Sequence, residues 1–295
     1  MGERLGFIGL GEMGLPMAEN LLKAGFATAV YDVRQERTAS IAAQGALAAA
    51  SPADVAARSD IIVACLPNGD IVQQVVAGKS GILEACREGQ VFIDTTTNYP
   101  PDSRNLSHLL ATAGVGMLDA PVSGGPEGAA AATLSIMVGG ETSIFERCLP
   151  VLETMGGRIT PMGEAVGAGG YAKLANQIMV YLNLASVLEA LAYAERMGLD
   201  PEKLIPALQA GHADSVLLRN KGAKIAARDW TPQGPVWMGY KDLSYVVRSM
   251  EEQGFLLPFT PKVRELLKEL VDEGKEGLDQ AALFEIFERM TGGAP

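Results

Sequence analysis

The chain has 295 residues, 48% hydrophobic and 20% charged, with a formal net charge of −11. That length suits two domains and that composition argues against disorder. The acidic balance, with no Lys/Arg-rich run, excludes the usual footprint for nucleic acid or an anionic membrane. Cys65, Cys86 and Cys148 are too few and too scattered for a disulfide framework or a CxxC site, and His108 and His212 too far apart for a histidine metal cluster or a Ser/His/Asp set. No metal is expected, and a reducing cytoplasm suits the thiols.

The opening MGERLGFIGLG is too briefly apolar for a secretory leader, and the closing TGGAP carries no prenylation cysteine. Residues 4–8 read as a short buried strand that runs straight into Gly9-Leu10-Gly11-Glu12-Met13-Gly14 and then into the helical pattern LPMAENLLKAG. A GxGxxG run placed between strand and helix is the context a dinucleotide turn requires. In that mechanism Gly9 permits the turn, Gly11 admits the backbone to a pyrophosphate, and Gly14 lets the helix pack against the strand. A second strand, Thr28 to Tyr31, ends in Asp32, eighteen positions after Gly14, where a carboxylate can take both ribose hydroxyls of an adenosine. This favours NAD over NADP. Arg34 pulls the other way, because a nearby arginine accommodates a 2′-phosphate, and Asp32 could instead cap a helix starting near Gln35.

Helices at 52–57, 71–76 and 102–112 alternate with strands at 61–66, 91–94 and 116–119, which implies a parallel, doubly wound sheet with ligands at the carboxyl ends of its strands. Unusual residues gather at those ends: Leu66-Pro67-Asn68, Asp94-Thr95-Thr96-Thr97-Asn98-Tyr99-Pro100, and Asp119-Ala120-Pro121-Val122-Ser123-Gly124-Gly125. The last offers a hydroxyl and successive amides in a tight turn, suited to a small carboxylate, though it also reads as a plain loop. A helix at 141–155 and a strand at 158–160 complete a domain of residues 1–163.

From residue 164 to 295 the periodicity is helical. Expected helices run over 169–197, 201–210, 215–227, 239–253, 261–273 and 278–290. The first joins the two domains, and its length and apolarity call for surrounding helices, from its own domain or from a second subunit. On it, Lys173, Asn176, Gln177 and Tyr181 recur at three- and four-residue intervals and share one face. A cation and two carboxamides among apolar neighbours need a polar cleft or a ligand, unless Lys173 snorkels to solvent. Lys241-Asp242-Leu243 reads as the start of a later helix and carries no weight alone.

Taken together, the GLGEMG loop, Asp94-x-Thr96-Thr97-x-x-Pro100, Asp119-Ala-Pro-Val-Ser-Gly-Gly125, Gly167-x-Gly169-x-x-x-Lys173-x-x-Asn176 and Lys241-Asp-Leu243 resemble the β-hydroxyacid dehydrogenases, the family of 3-hydroxyisobutyrate dehydrogenase and tartronate semialdehyde reductase. The resemblance spans essentially the whole chain. It implies an N-terminal Rossmann domain joined by a long helix to an all-α domain, with NAD(P) and a small carboxylate-bearing substrate between them. It makes Lys173 the catalytic acid–base group, assigns the substrate carboxylate to Ser123, Gly124 and Gly125, and puts Leu66, Pro67, Thr97 and Lys241 on the cofactor. Excluding water there would favour the uncharged amine that a lysine base needs. A homodimer or homotetramer is expected. Two places depart from the family pattern: Gln177 follows Asn176 where a second asparagine is usual, and ahead of Lys241-Asp-Leu243, where a phenylalanine is common, the chain reads Gly234-Pro235-Val236-Trp237. Both fall on the substrate side. A related imine or carbonyl reductase and a non-catalytic NAD(P)-binding module are the alternatives.

Overall fold

The computed structural model describes residues 2–292, so Met1 and the last three residues of the TGGAP end lie outside it. The chain divides into two compact units, Met1–Lys173 and Leu174–Pro295.

The first unit is built on one nine-stranded sheet. Strands β1 (Leu5–Ile8), β2 (Thr28–Tyr31), β3 (Leu47–Ala48), β4 (Ile61–Ala64), β5 (Val91–Asp94) and β6 (Gly116–Asp119) pair in parallel in the order β3-β2-β1-β4-β5-β6. Beyond β6 the sheet is mixed. β8 (Leu134–Gly139) runs antiparallel to β6 and to the two-residue β7 (Val122–Ser123), and β9 (Gly156–Gly163) pairs in parallel with β8.

Side chains of the central strands alternate between two cores, as a pleat of period two requires. Leu5, Phe7, Ile61, Val63, Val91 and Ile93 face one, with Met17 and Leu21 of α1 (Gly14–Lys23) and Val151 and Leu152 of α7 (Thr142–Leu152). Ile8, Ile62, Ala64 and Phe92 face the other, with Val55 of α3 (Pro52–Arg58), Val72 and Val76 of α4 (Gly69–Ala77), and Leu106 and Leu110 of α5 (Pro100–Ala111). Each large apolar side chain withdrawn from water contributes about 1.5–3 kcal/mol. Helices on both faces make this the doubly wound sheet expected. After β1 the chain builds outward to β2 and β3, then returns to place β4 on the other side of β1. The carboxyl ends of β1 and β4 therefore flank a topological switch point, the usual ligand position in such sheets.

Helix α8 (Ala168–Arg196) begins in the first unit and continues into the second. It is long and apolar enough to cross a membrane by length and composition. In the second unit its Leu184, Leu188 and Leu191 enter a core shared with Leu243 and Val246 of α11 (Val236–Glu252) and Leu267 and Leu270 of α12 (Thr260–Asp272). Ile205 of α9 (Pro201–Gln209) and Leu218 and Ile225 of α10 (Val216–Ala226) complete it.

In the second unit two helix starts differ from the sequence expectation by more than two residues, and one residue bears on both. Asp279 is fully buried. Its carboxylate takes both contacts of Lys221 Nζ, at 2.9 and 2.8 Å, and the N–H groups of Gln233, Gly234 and Ala281. Holding Ala281 bends the expected 278–290 helix into a 3-10 turn, Gln280–Leu283, followed by α13 (Phe284–Met290). Holding Gln233 and Gly234 orders the approach to α11, which starts at Val236, so Lys241 lies in its second turn and does not open it.

Candidate functional site

Gly9 leaves β1 at φ +95°, a conformation open to glycine, and a Cβ there would lie 2.2 Å from the Cys65 carbonyl oxygen. At Gly14 a Cβ would lie 1.9 Å from the Gly9 carbonyl oxygen, so only glycine lets α1 start against the turn. Gly11 is different: a Cβ there meets no heavy atom within 4 Å. The turn is thus closed on the strand side and open above Gly11. The start of α1 carries the positive end of the helix dipole and has no side-chain cap; there the Leu15 N–H donates back to the Gly11 carbonyl at 3.0 Å. This cradle fits the pyrophosphate of a dinucleotide.

Asp32, buried at the end of β2, closes the same region. Its Oδ2 accepts the Leu10 N–H at 2.7 Å, and its Oδ1 accepts the Arg34 N–H at 2.8 Å and Arg34 Nε at 3.2 Å. Burial pulls its carboxyl upward, but the contacts from Arg34 and Leu10 outweigh it and hold the group below the usual carboxylate range. Three of about four acceptor positions are engaged inside the protein, which leaves room for one ribose hydroxyl where the sequence suggested two. Nor does Asp32 cap α2 (Gln35–Ala42): the cap position belongs to Arg34, whose side chain is half exposed and pairs with Asp32.

The neighbouring strand ends are laced together. Thr95 Oγ1 donates to the Ala64 carbonyl at 2.8 Å, and the Leu66 N–H donates to Thr96 Oγ1 at 3.1 Å. The Thr96 N–H donates to Asp94 Oδ1 at 3.0 Å. Leu66, Pro67 and Thr97 therefore come together at the carboxyl ends of β4 and β5. Ser123 lies in β7 opposite Ser135, and Gly124 and Gly125 follow at φ +140° and +68°, turning the chain into α6 (Gly125–Ala130).

Lys173 closes the first unit and is only 7% exposed, so it does not snorkel to solvent. The start of its helix is tied to Asp119, which accepts the N–H groups of Gly167 at 2.7 Å and Gly170 at 2.6 Å. Sequence reasoning placed Asp119 at the carboxyl end of a strand, at the head of the Asp119-Ala-Pro-Val-Ser-Gly-Gly125 segment, and gave it no role of its own. The signal available was that Asp94 and Asp119 each end a strand; the structure sets the two strands side by side with those carboxylates in register.

Asn176, Gln177 and Lys241 belong to the second unit. Gln177 Nε2 donates a short hydrogen bond to Asp242 Oδ2, and Lys241 Nζ lies 3.3 Å from Asp242 Oδ1. Lys241 also stands 6.0 Å from the ring centroid of Trp237 and 5.8 Å from that of Tyr245, within cation–π range. The buried Tyr181 ring packs against α11 at Gly239, where a Cβ would come within 2.5 Å of it. Asp242 is a residue that sequence reasoning left without a role; it is the partner of both Gln177 and Lys241.

Residues 4–163 match the model of the NAD binding domain of 6-phosphogluconate dehydrogenase, and residues 167–287 the model of the NAD-binding domain of NADP-dependent 3-hydroxyisobutyrate dehydrogenase. The 2-(hydroxymethyl)glutarate dehydrogenase of Eubacterium barkeri is 36% identical over 98% of this chain and 96% of its own. The 2-hydroxy-3-oxopropionate reductase of Escherichia coli K12 is 37% identical over 98% of each. Among solved structures, 3-hydroxyisobutyrate dehydrogenase from Salmonella typhimurium superimposes with a TM-score of 0.90 at 28% identity, covering 97% of this chain and 100% of that one.

Proposed function

The chain belongs to the β-hydroxyacid dehydrogenase family, NAD(P)-dependent oxidoreductases, and from that membership we propose that it oxidises or reduces a small β-hydroxyacid/semialdehyde pair with Lys173 as general acid–base group. The nicotinamide, when bound, supplies the site that takes or gives the hydride. Lys173 removes the proton from the substrate hydroxyl as the carbinol carbon is oxidised, and returns it to the carbonyl oxygen in the reverse direction. The observation that carries this reading is the burial of Lys173 on a helix start fixed by Asp119.

The other roles follow family assignments on residues already described. Gly9 to Gly14 hold the pyrophosphate, and Leu66, Pro67, Thr97 and Lys241 contact the cofactor. Ser123, Gly124 and Gly125 hold the substrate carboxylate, and Asn176 and Gln177 orient the substrate. NAD is preferred, because the buried negative charge of Asp32 opposes a 2′-phosphate; the exposed Arg34 leaves NADP as a poorer cofactor. The protein works in the cytoplasm as a homo-oligomer assembled through its second unit, where Phe255, Leu256, Leu257 and Phe259 are all exposed.

The test is nicotinamide absorbance with NADH or NADPH and 2-hydroxy-3-oxopropionate, and with NAD or NADP and 3-hydroxyisobutyrate or 2-(hydroxymethyl)glutarate. Turnover of at least one compound, faster with the NAD pair, supports the reading. Cofactor binding with no turnover across this panel and further short hydroxyacids would replace it with a non-catalytic binding module.

A further inference from the structure

Asp119 ends β6, and the two amides it holds, Gly167 N–H and Gly170 N–H, lie 48 and 51 residues further along the chain. They belong to the entry and first turn of α8, where backbone N–H groups have no intrahelical partner. A carboxylate there meets the positive end of the helix dipole as well as two donors. The backbones are also in direct contact. A Cβ at Gly169 would lie 2.3 Å from the Met137 carbonyl oxygen and 2.5 Å from that of Asp119, and a Cβ at Gly139 would lie 2.3 Å from Asp119 Oδ1. The ends of β6 and β8 thus form a socket that admits only a glycine-built helix start. Lys173 follows Gly170 by three residues, which places it one turn along the same face.

We propose that Asp119 is a positioning residue for the reaction: by clamping the amides of Gly167 and Gly170 it fixes the first turn of α8, and with it the place at which Lys173 meets the substrate hydroxyl. The claim rests on Lys173 being the acid–base group. Asp119 acts through the helix backbone, and a displacement of about 1 Å at a reacting group is enough to slow a reaction by about a hundredfold. Burial and the neighbouring charge of Asp94 make this an unfavourable place for a carboxylate, and the two helix amides are the contacts that offset it.

Asp119→Asn tests the clamp with little change of shape. The carboxamide keeps one acceptor and turns its NH2 toward the other helix N–H. Amide hydrogen exchange, resolved by fragmentation mass spectrometry, reads the clamp without any substrate. Exchange at Gly167 and Gly170 should quicken about ten- to hundredfold while amides of β1 and β4 keep their protection. With whichever of the three hydroxyacid or semialdehyde compounds turns over best, kcat should fall about ten- to hundredfold at a KM and an NADH affinity within about twofold of the parent. Unchanged exchange at Gly167 and Gly170 would overturn the clamp. Quickened exchange with parental kcat would overturn the positioning role. Lys173→Ala, assayed beside it, separates the two readings: parental turnover in that variant would remove the acid–base role itself, whereas an inactive Lys173→Ala beside a fully active Asp119→Asn would remove only the inference about Asp119.

Discussion

Replacing Gly11 and Gly14 one at a time by alanine separates ligand binding from folding within a single turn. Gly11 is not in the left-handed region, and an added Cβ meets nothing within 4 Å, so Gly11→Ala should leave the thermal midpoint unchanged or slightly raised. The methyl would instead occupy the space through which a pyrophosphate approaches the turn. Losing one or two hydrogen bonds to a charged group, about 1.5–3 kcal/mol each, should weaken NADH binding at least tenfold. Gly14→Ala behaves otherwise. Its Cβ would start 1.9 Å from the Gly9 carbonyl oxygen, and ordinary contact begins at 3.4 Å, so α1 and the turn must part by about 1.5 Å. A cost of about 1–3 kcal/mol should lower the thermal midpoint and weaken NADH binding together. Nicotinamide fluorescence gives the affinity and circular dichroism the melt. Parental NADH affinity in Gly11→Ala would refute the account of the cradle.

Asp32→Asn should raise the ratio of NADPH to NADH efficiency by at least tenfold while weakening both cofactors, because Leu10 and Arg34 lose their shared anchor; steady-state kcat/KM with each cofactor checks it, and an unchanged ratio would count against a ribose contact. Lys221→Met leaves the Asp279 carboxylate buried without its cation, and should destabilise the second unit by about 3–5 kcal/mol, read as a lowered midpoint in urea. Asp119 gives a pH signature. Burial, opposed by the Gly167 and Gly170 amides and reinforced by Asp94, pushes its carboxyl from 3.8 up to about 7. A raised acid contributes stability that is complete below its unfolded value and is lost as pH rises through its folded one. The parent should therefore lose up to about 4 kcal/mol relative to Asp119→Asn between pH 4 and 8, and melts of both proteins across that range would show a flat difference if the reasoning is wrong.

Most of the sheet was legible because short continuous apolar runs and glycine turns are local signals, and strands buried on both faces show such runs. Strands β2, β5 and β6 begin and end where the sequence placed them. The mixed edge was harder to read: β7 has two residues and α6 six, too few for any period to emerge. The departures in the second unit come from Asp279, whose carboxylate gathers groups from 221 to 281, a convergence that no window of sequence displays. Asp32 and Asp119 teach the same lesson at the candidate site. Both carboxylates could be found at strand ends, but apart from the neighbouring Arg34 N–H the amides they hold lie 22, 48 and 51 positions away, so these inward ties become visible only when the strands are assembled.

The most direct test of the central claim is a single-turnover measurement of Lys173→Ala preloaded with NADH and mixed with the semialdehyde that the parent turns over best. The variant should bind NADH as the parent does, while the decay of nicotinamide absorbance slows about a hundred- to ten-thousandfold. Decay at the parental rate would show that another group handles the proton and would contradict the assignment of Lys173.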